Sequence, residues 1–485
     1  MEYVVIFIYV ISLLFIFLFS LGQLHLTWNY IRSKKKSLIP SQEENDLPIV
    51  TVQLPVFNEL YVIERLLHSV AAIDYPREKL EIQVLDDSTD ETTAKARQVV
   101  EELKQKGLDI QLIRRPDRKG FKAGALQYGL GISKGEFIAI FDADFLPKQD
   151  FLLKTIPNFN KPEIGVVQTR WGHINKDYSM LTQLQAFGLD AHFSIEQCGR
   201  SFAGSFINFN GTAGVWRKSC IIDSGGWSSD TLTEDLDLSY RAQIKGWEFT
   251  YLEDVVAPAE LPVLMDAIKS QQFRWNKGAA ETARKNLKRV FQTRLGFMNK
   301  IHSTFHLLNS SVFLFLLLAA ITSIPMLYVK HIHPDLETLF NVGSVFLLGF
   351  FSITFFYWTS VKYSDQKQKG KYFWRTYPVF LSVSMGLSLH NSLAVFEGLT
   401  GLKSDFIRTP KFNITARNDS WSNNKYIKPR INLIIILEGL LCLYFLFGLY
   451  FGYIIGDYGL MIFHIMLAFG FASVFYYSIK PLRIG

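Results

Sequence analysis

Phe137-Ile138-Ala139-Ile140-Phe141-Asp142-Ala143-Asp144 decides how the rest of the chain is read. Five apolar residues are too few for an ordinary helix, and they run without alternation into two acids one residue apart. A short unbroken apolar run with polar flanks fits a strand buried on both faces. Upstream, Ile49-Val50-Thr51-Val52-Gln53-Leu54 leads to Phe57-Asn58-Glu59, and Leu80-Glu81-Ile82-Gln83-Val84-Leu85 leads to Asp86-Asp87. Helical patterns over 59–72 and 90–107 separate the three runs. Strands alternating with helices predict a parallel sheet with crossover helices. Ligands of such sheets bind beyond the carboxyl ends of the strands, where all three polar clusters fall. A lone acid there is ordinarily a turn or a helix cap, whereas three clusters at one edge point to a site.

Outward from this region the composition changes. Apolar residues make up 49% of the 485, with 41 Phe, and they concentrate at the two ends. Residues 3–21 are long and apolar enough to cross hydrocarbon. No basic residue precedes them and no A-x-A site follows, so the stretch reads as an anchor and not a signal peptide. Arg32, Lys34, Lys35 and Lys36 then place its far end in the cytoplasm.

Further spans are predicted near 303–328, 338–361, 431–454 and 459–479. The segment 377–399 is apolar but carries Pro378, His390, Asn391 and Glu397. A crossing there would put the loop 400–430 outside, although it holds Lys403, Arg408, Lys411, Arg417, Lys425, Lys428 and Arg430 against Asp405 and Asp419. The charge bias therefore predicts an interfacial helix at 377–399, five spans in all, and a cytoplasmic loop 400–430. The predicted organisation is an anchor at 1–31, a basic linker at 32–47, an α/β domain at 48–265, interfacial helices at 266–300 and a membrane region at 301–485. The net charge of +7 fits cytoplasmic loops, and no basic stripe interleaved with aromatics suggests nucleic acid as a partner. Cys198, Cys220 and Cys442 form no C-x-x-C pair, which argues against a disulfide framework or a cysteine zinc site.

The polar clusters carry the chemistry. No G-x-x-x-x-G-K-[ST] loop exists and no G-x-G-x-x-G follows the first strand, so phosphates must be neutralised in another way. Asp142 and Asp144 can share one hard divalent cation, Mg²⁺ or Mn²⁺, which reverses the local charge toward a diphosphate and stabilises it as a leaving group. Alone, D-x-D recurs by chance. Asp86-Asp87-Ser88 is placed to accept from a ribose hydroxyl or a base N–H. Lys122, in Gly120-Phe121-Lys122-Ala123-Gly124-Ala125, is an isolated cation among small residues where a ligand can come close, or else a surface lysine.

Thr233-Glu234-Asp235 opens a helical pattern with Leu236, Leu238 and Tyr240. Thr233 as an N-cap with acids in the first turn is one account of it. A general base is the other, since displacing a diphosphate with inversion needs one group to deprotonate the acceptor hydroxyl. Gln271-x-x-Arg274-Trp275 sets three side chains on one helix face. The arginine fork suits a diphosphate and the indole suits the apolar face of a sugar, on a helix that also suits a membrane surface.

In this order, Asp86-Asp87, Asp142-x-Asp144, Thr233-Glu234-Asp235 and Gln271-x-x-Arg274-Trp275 resemble the signature of processive family 2 glycosyltransferases, which include cellulose, chitin and hyaluronan synthases. The wording Ile82-Gln83-Val84-Leu85-Asp86-Asp87-Ser88-Thr89-Asp90, Lys122-Ala123-Gly124-Ala125-Leu126, Phe209-Asn210-Gly211-Thr212-Ala213-Gly214 and Gln271-Gln272-Phe273-Arg274-Trp275 is similar to the cellulose-synthase-like mannan and glucan synthases. The resemblance covers about residues 48–300, and the later spans more loosely.

It implies a GT-A-like α/β nucleotide-sugar-binding domain inserted between transmembrane helices of the cell or inner membrane, facing the cytoplasm. The implied activity is inverting transfer from UDP-glucose or GDP-mannose to a growing polysaccharide that is exported, with a divalent cation, and with donor, polysaccharide and membrane lipid as partners. By the same resemblance Asp235, with Glu234, is catalytic. Asn58, Glu59, Asp86, Asp87, Lys122, Asp142 and Arg274 bind donor, and Asp142 and Asp144 hold the metal. Asn210, Gly211, Thr212, Gln271 and Trp275 meet the acceptor. Phe406, Arg408, Thr409 and Lys411 match a gating loop over the loaded donor. The same motifs would serve an enzyme that glucosylates a lipid such as ceramide, or a nucleotide-sugar-sensing membrane protein with no need of Asp235. The chain ends soon after its last span, so no C-terminal cyclic-dinucleotide-binding domain is expected, and five spans is fewer than in bacterial cellulose synthase.

Overall fold

The apolar runs form strands β1 (Val50–Val56), β2 (Leu80–Asp86), β3 (Asp109–Ile113) and β4 (Phe137–Ile140), followed by β5 (Ile164–His173), β6 (Gly214–Arg217) and β7 (Glu248–Ala259). The computed structural model describes residues 2–35, 47–333, 343–404, 408–421, 424–426 and 431–483. The strands make one seven-stranded sheet in the order β3-β2-β1-β4-β6-β5-β7. The predicted parallel sheet is corrected to a mixed one. β6 runs antiparallel to both β4 and β5, while β1 to β4 pair in parallel as expected. β6 has four residues, too few for its direction to be read from periodicity.

Burial on both faces explains why β4 does not alternate. Phe137 and Ala139 join one core with β1, β2 and the helices Ile63–Ala71 and Thr92–Gln105. Ile138 and Ile140 join the other, with Leu126, Trp216 and Leu238. Successive side chains of a strand point to opposite faces, so two cores demand a continuous apolar run. Each such side chain contributes roughly 1.5–3 kcal/mol on full burial. The helix predicted from 59 starts only at Ile63, because Asn58 takes a left-handed φ of 56° and turns the chain first.

Among the described residues, five helices are long and apolar enough to cross a membrane: Glu2–Ser33, Ser311–Ile332, Ser344–Tyr363, Leu433–Ile454 and Met461–Ile479. The segment expected as one helix at 377–399 is instead two helices, Lys369–Gly386 and Ser388–Thr400, bent by 51°. Pro378 sits inside the first without ending it. The second turns onto the helix Met265–Gln292. There His390 donates to the Lys269 carbonyl at 2.9 Å and Asn391 donates to Gln272 Oε1 at 2.8 Å. The polar residues that seemed to interrupt an apolar helix are its docking contacts. The described residues of 400–430 beyond Gly401 take no helix or strand. Phe406 lies outside the described residues, as do 36–46 of the linker and 334–342.

Candidate active site

The ends of β1, β2, β4, β5 and β7 and the start of β6 meet at one edge of the sheet, around a cavity of about 180 Å³. Of the residues singled out from sequence, Glu59, Asp87, Lys122, Asp142, Asp144, Asn210, Gly211, Glu234, Asp235, Gln271, Arg274, Trp275, Arg408, Thr409 and Lys411 line it. The convergence depends on β6. Its antiparallel course brings Asn210-Gly211 alongside the end of β4, where the Asp142 N–H donates to Thr212 Oγ1 at 2.9 Å.

Lys122 is not a surface lysine. Gly120 adopts φ 74° and opens the helix Phe121–Ile132, whose first turn aims Lys122 into the cavity. Its Nζ lies 2.6 Å from Asp142 Oδ1, 2.9 Å from the Gly211 carbonyl and 3.8 Å from Glu234 Oε1. Burial alone would depress the ammonium, but Asp142, Glu234 and Asp235 hold its pKa above the usual lysine value. Asp235 is pushed up to about 7, first by its sequestration from water and then by the neighbouring Glu234, against the pull of Lys122. Glu234 is raised in the same way, mainly by burial. A carboxyl poised near neutrality is suited to take a proton.

Two glycines permit this packing. A Cβ at Gly211, where φ is 76°, would stand 2.9 Å from Asp235 Oδ2. A Cβ at Gly278 would stand 2.5 Å from Thr233 Cγ2 and 2.7 Å from Thr233 N. Gly278 lies seven residues after Gln271, on the same face as Arg274 and Trp275. That bare face lets the Met265–Gln292 helix press against Thr233. Thr233 stands at the start of the helix Glu234–Ile244, but its side chain makes no cap hydrogen bond and instead meets Thr282 Oγ1 at 3.3 Å, so the capping account fails. The next acid along, Asp237, is structural: Lys285, Asn286 and Arg241 bind it at 2.8–2.9 Å.

Residues 408–412 cross the cavity as a strap, of which Arg408, Thr409 and Lys411 line it. Arg408 makes a bidentate pair with Glu59, both bonds at 3.0 Å. Thr409 Oγ1 accepts from Arg274 at 2.9 Å, and Lys411 Nζ sits 2.5 Å from Asp144 Oδ2. Phe412 N donates to Glu260, which Arg65 also holds, and Tyr426 donates to Asp90. Burial raises Glu59 to about 7 even against the opposing charge of Arg408. Burial likewise lowers the Arg274 guanidinium, against the pull of Asp142 and Glu234.

Three expected site residues serve the frame instead. Asp86 is buried, and its oxygens accept from Ser88 N at 2.9 Å and Thr93 Oγ1 at 2.6 Å, which leaves it to close the turn after β2. Asn58 clasps that turn, donating from its backbone to Ser88 Oγ and accepting from Thr89 N. Thr212 is fully buried beneath Asp142. None of the three lines the cavity. Asp87 does, and its carboxylate is gripped by Arg115 at 2.8 and 2.5 Å. Arg115 had no signal in sequence, nor had Arg118, whose guanidinium lies 3.3 Å over the Phe57 ring at the cavity wall. Trp171, at the end of β5, also lines the cavity unannounced.

Asp142 and Asp144 offer oxygen donors of the kind that hard cations take. Among the described residues no group of three or more His, Cys, Asp or Glu side chains forms a metal site. The pair therefore fits a cation that completes its shell with ligand oxygens, as one arriving on a diphosphate does.

Comparison with known proteins supports the same region. Residues 48–278 match the family described as glycosyltransferase like family 2. "Probable glucomannan 4-beta-mannosyltransferase 11" of Oryza sativa subsp. japonica is 44% identical over 264 residues, covering 53% of this chain and 46% of that one. "Glucomannan 4-beta-mannosyltransferase 1" of the same organism is 41% identical over 269 residues, covering 54% and 52%. The chain thus spans about half the length of the curated relatives it matches. Among solved structures, a mannosyltransferase from Pyrobaculum calidifontis in complex with GDP-Man and Mn2+ superposes with a TM-score of 0.56 at 20% identity, over 81% of this chain and 99% of that one. The likeness is one of fold, GT-A-like with a mixed sheet.

Proposed function

We propose that this chain, in which residues 48–278 are a family 2 glycosyltransferase domain, is a membrane-integrated inverting β-glycosyltransferase that extends a polysaccharide from a nucleotide-sugar donor. The observation that carries the reading is Asp235, a carboxyl raised to about 7 beside Lys122, Asp142 and the face of Gln271, Arg274 and Trp275. We favour mannose from GDP-mannose over glucose from UDP-glucose. The relatives matched over this stretch are named glucomannan 4-beta-mannosyltransferases, and the structural neighbour was solved with GDP-Man and Mn2+.

In this reading Asp235 accepts the proton of the acceptor hydroxyl as its oxygen forms a bond to the anomeric carbon, and the bond from that carbon to the diphosphate breaks. Glu234, a like charge beside it, raises the proton affinity of Asp235 and so helps keep it basic enough for the task. Lys122 and Arg274 bring positive charge to the departing phosphates. Asp142 and Asp144 would hold the divalent cation, Mg²⁺ or Mn²⁺, whose chemistry is to offset the charge that develops on the diphosphate. Asp87 with Phe57 and Arg118 forms the nucleoside end, and Asn210, Gly211, Gln271 and Trp275 the acceptor end. Arg408, Thr409 and Lys411 act as the gating loop. The cavity under the strap, about 180 Å³, is below the roughly 300–1,000 Å³ of most ligand pockets, so the strap must shift to admit a donor.

The strap also bears on orientation. The contact of Lys411 with Asp144 supports a layout in which the loop after Thr400 and the catalytic domain share one side of a bilayer. Two spans, Ser311–Ile332 and Ser344–Tyr363, bring the chain back to that side, which leaves the bent pair over 369–400 as a membrane-surface or re-entrant element. The basic residues of that loop favour the cytoplasmic side.

The test uses the full chain in lipid nanodiscs with labelled GDP-mannose and UDP-glucose and either Mn²⁺ or Mg²⁺. A β-linked polymer made from GDP-mannose is expected. Label confined to a single-sugar lipid would overturn the polymer reading, and donor binding without transfer from either nucleotide sugar would overturn the enzyme reading.

A further inference from the structure

Two buried donors at the cavity lack a partner. The indole N–H of Trp171 and the side-chain amide N–H of Asn210 have no hydrogen-bond partner among the described residues. Buried polar groups are nearly always satisfied, and each that is not needs a reason. Trp171 is also held too firmly to turn its N–H elsewhere. Its ring stands edge-on to Phe145 at 5.1 Å and 72°, tilted on Phe193 at 4.8 Å, and 6.4 Å from Trp275. Phe193 is in turn fixed by a π-helical turn, His192–Glu196, in which its carbonyl accepts from Tyr251 OH at 2.6 Å. Such turns re-aim side chains and recur at functional sites.

The sheet order locates these donors relative to the rest of the site. Asp87 follows β2, Asp142 and Asp144 follow β4, Asn210 precedes β6, and Trp171 ends β5. Strands lie about 4.8 Å apart, so Trp171 is roughly 19 Å along the sheet edge from the strand that carries Asp87. Between them comes Gly211, against which Asp235 Oδ2 packs. Trp171 is thus beyond the proton acceptor, at the far end from the nucleoside. There the cavity offers N–H donors from Trp171 and Asn210, carboxylate acceptors from Glu234 and Asp235, and the half-open face of Trp275. A hexose has hydroxyls that both accept and donate, and an apolar C–H face.

We propose that Trp171 is an acceptor-binding residue, whose indole N–H, together with the amide of Asn210, donates to hydroxyl oxygens of the terminal acceptor sugar while Trp275 covers that sugar's C–H face. The proposal rests on the glycosyltransferase reading. Trp275 was legible as a sugar platform from its motif, whereas Trp171 supplies the orientation: a stacked ring is free to rotate on an indole face until an N–H fixes one hydroxyl.

The test is steady-state kinetics of the full chain in nanodiscs, with GDP-mannose as donor and β-1,4-linked mannotetraose as acceptor. Trp171→Phe keeps the ring and deletes the N–H. An acceptor KM raised about tenfold is expected, with donor KM and acceptor-free donor hydrolysis within about twofold of the parent, the pattern of a lost hydrogen bond to one substrate. Asn210→Ala should raise the acceptor KM likewise, and it serves as the second variant if Trp171→Phe folds poorly. An unchanged acceptor KM in both variants overturns the proposal. A raised donor KM with an unchanged acceptor KM also overturns it, by assigning the N–H to the donor sugar. If the parent chain transfers to no acceptor at all, the glycosyltransferase reading falls first and this proposal with it. Normal parent transfer with both variants unaffected defeats the proposal alone.

Discussion

At the scale of single residues, the site turns on acids that look alike in sequence and differ in surroundings. Asp86 at the end of β2 and Asp237 in the first turn of the helix Glu234–Ile244 spend their oxygens on neighbours. Asp235 gives one oxygen to the Leu236 N–H at 2.8 Å and keeps the other toward Gly211 and the cavity. Asp235→Asn is expected to cut transfer by roughly 10²–10⁴ while donor binding persists, measured as turnover and nucleotide affinity. With Asp235 as the proposed base, which must be ionised to act, kcat/KM should fall tenfold per unit as pH drops below about 7. Stability should respond with the opposite sign. A carboxyl raised from 3.8 to about 7 stabilises the fold below the lower value, and that contribution is lost as pH rises through the upper one. Asp235→Asn should therefore melt at a higher temperature than the parent at pH 8, with the gap closing by pH 4.

At the scale of elements, two devices hold the site together. One is the fit of the Met265–Gln292 helix against Thr233 through Gly278. Gly278→Val would drive the helix back and move Arg274 and Trp275 with it. We expect a loss of about 10²-fold in transfer at a saturating donor concentration, since a shift of about 1 Å in a positioning element has that cost. The other is the strap. Lys411 takes the Asp144 oxygen that a divalent cation would use. Lys411→Met should therefore bind Mn²⁺ roughly tenfold more tightly in the absence of donor, a gain of about 1.4 kcal/mol, read by calorimetry. Equal affinity in the two proteins would mean that the strap does not compete for Asp144. The first device was not legible in the chain, and the second only in outline. Gly278 has no motif around it, and the loop was read from its charge and from a resemblance to a gating loop, without the Glu59 and Asp144 partners that the structure gives it.

At the scale of the whole molecule, ion pairs tie the helix that carries Gln271, Arg274 and Trp275 to the apolar helices. Lys269, two residues before Gln271, lies 2.7 Å from Glu438 in the helix Leu433–Ile454, with Ser478 at 2.8 Å, and Lys277 pairs with Glu397 at 2.8 Å. Removing one partner of a buried pair strands the other charge, at about 3–5 kcal/mol. Glu438→Ala is expected to lower the melting temperature in detergent and to reduce transfer, and retention of both would separate the helix bundle from the site. Three of the seven strands, the acids at their ends, the apolar helices and the family resemblance are legible in the chain alone. Run length, periodicity and motif wording are carried by a few consecutive residues, and no fold is needed to see them. Tertiary structure alone decided that β6 runs backward, that the apolar segment at 377–399 breaks into two docked helices, and that Asp86, Asn58 and Thr212 turn inward while Trp171 faces the cavity. It also decided that Lys411 reaches Asp144 across 267 residues of chain. Those outcomes depend on which polar group meets which partner, and partners that far apart leave no periodic trace in the sequence.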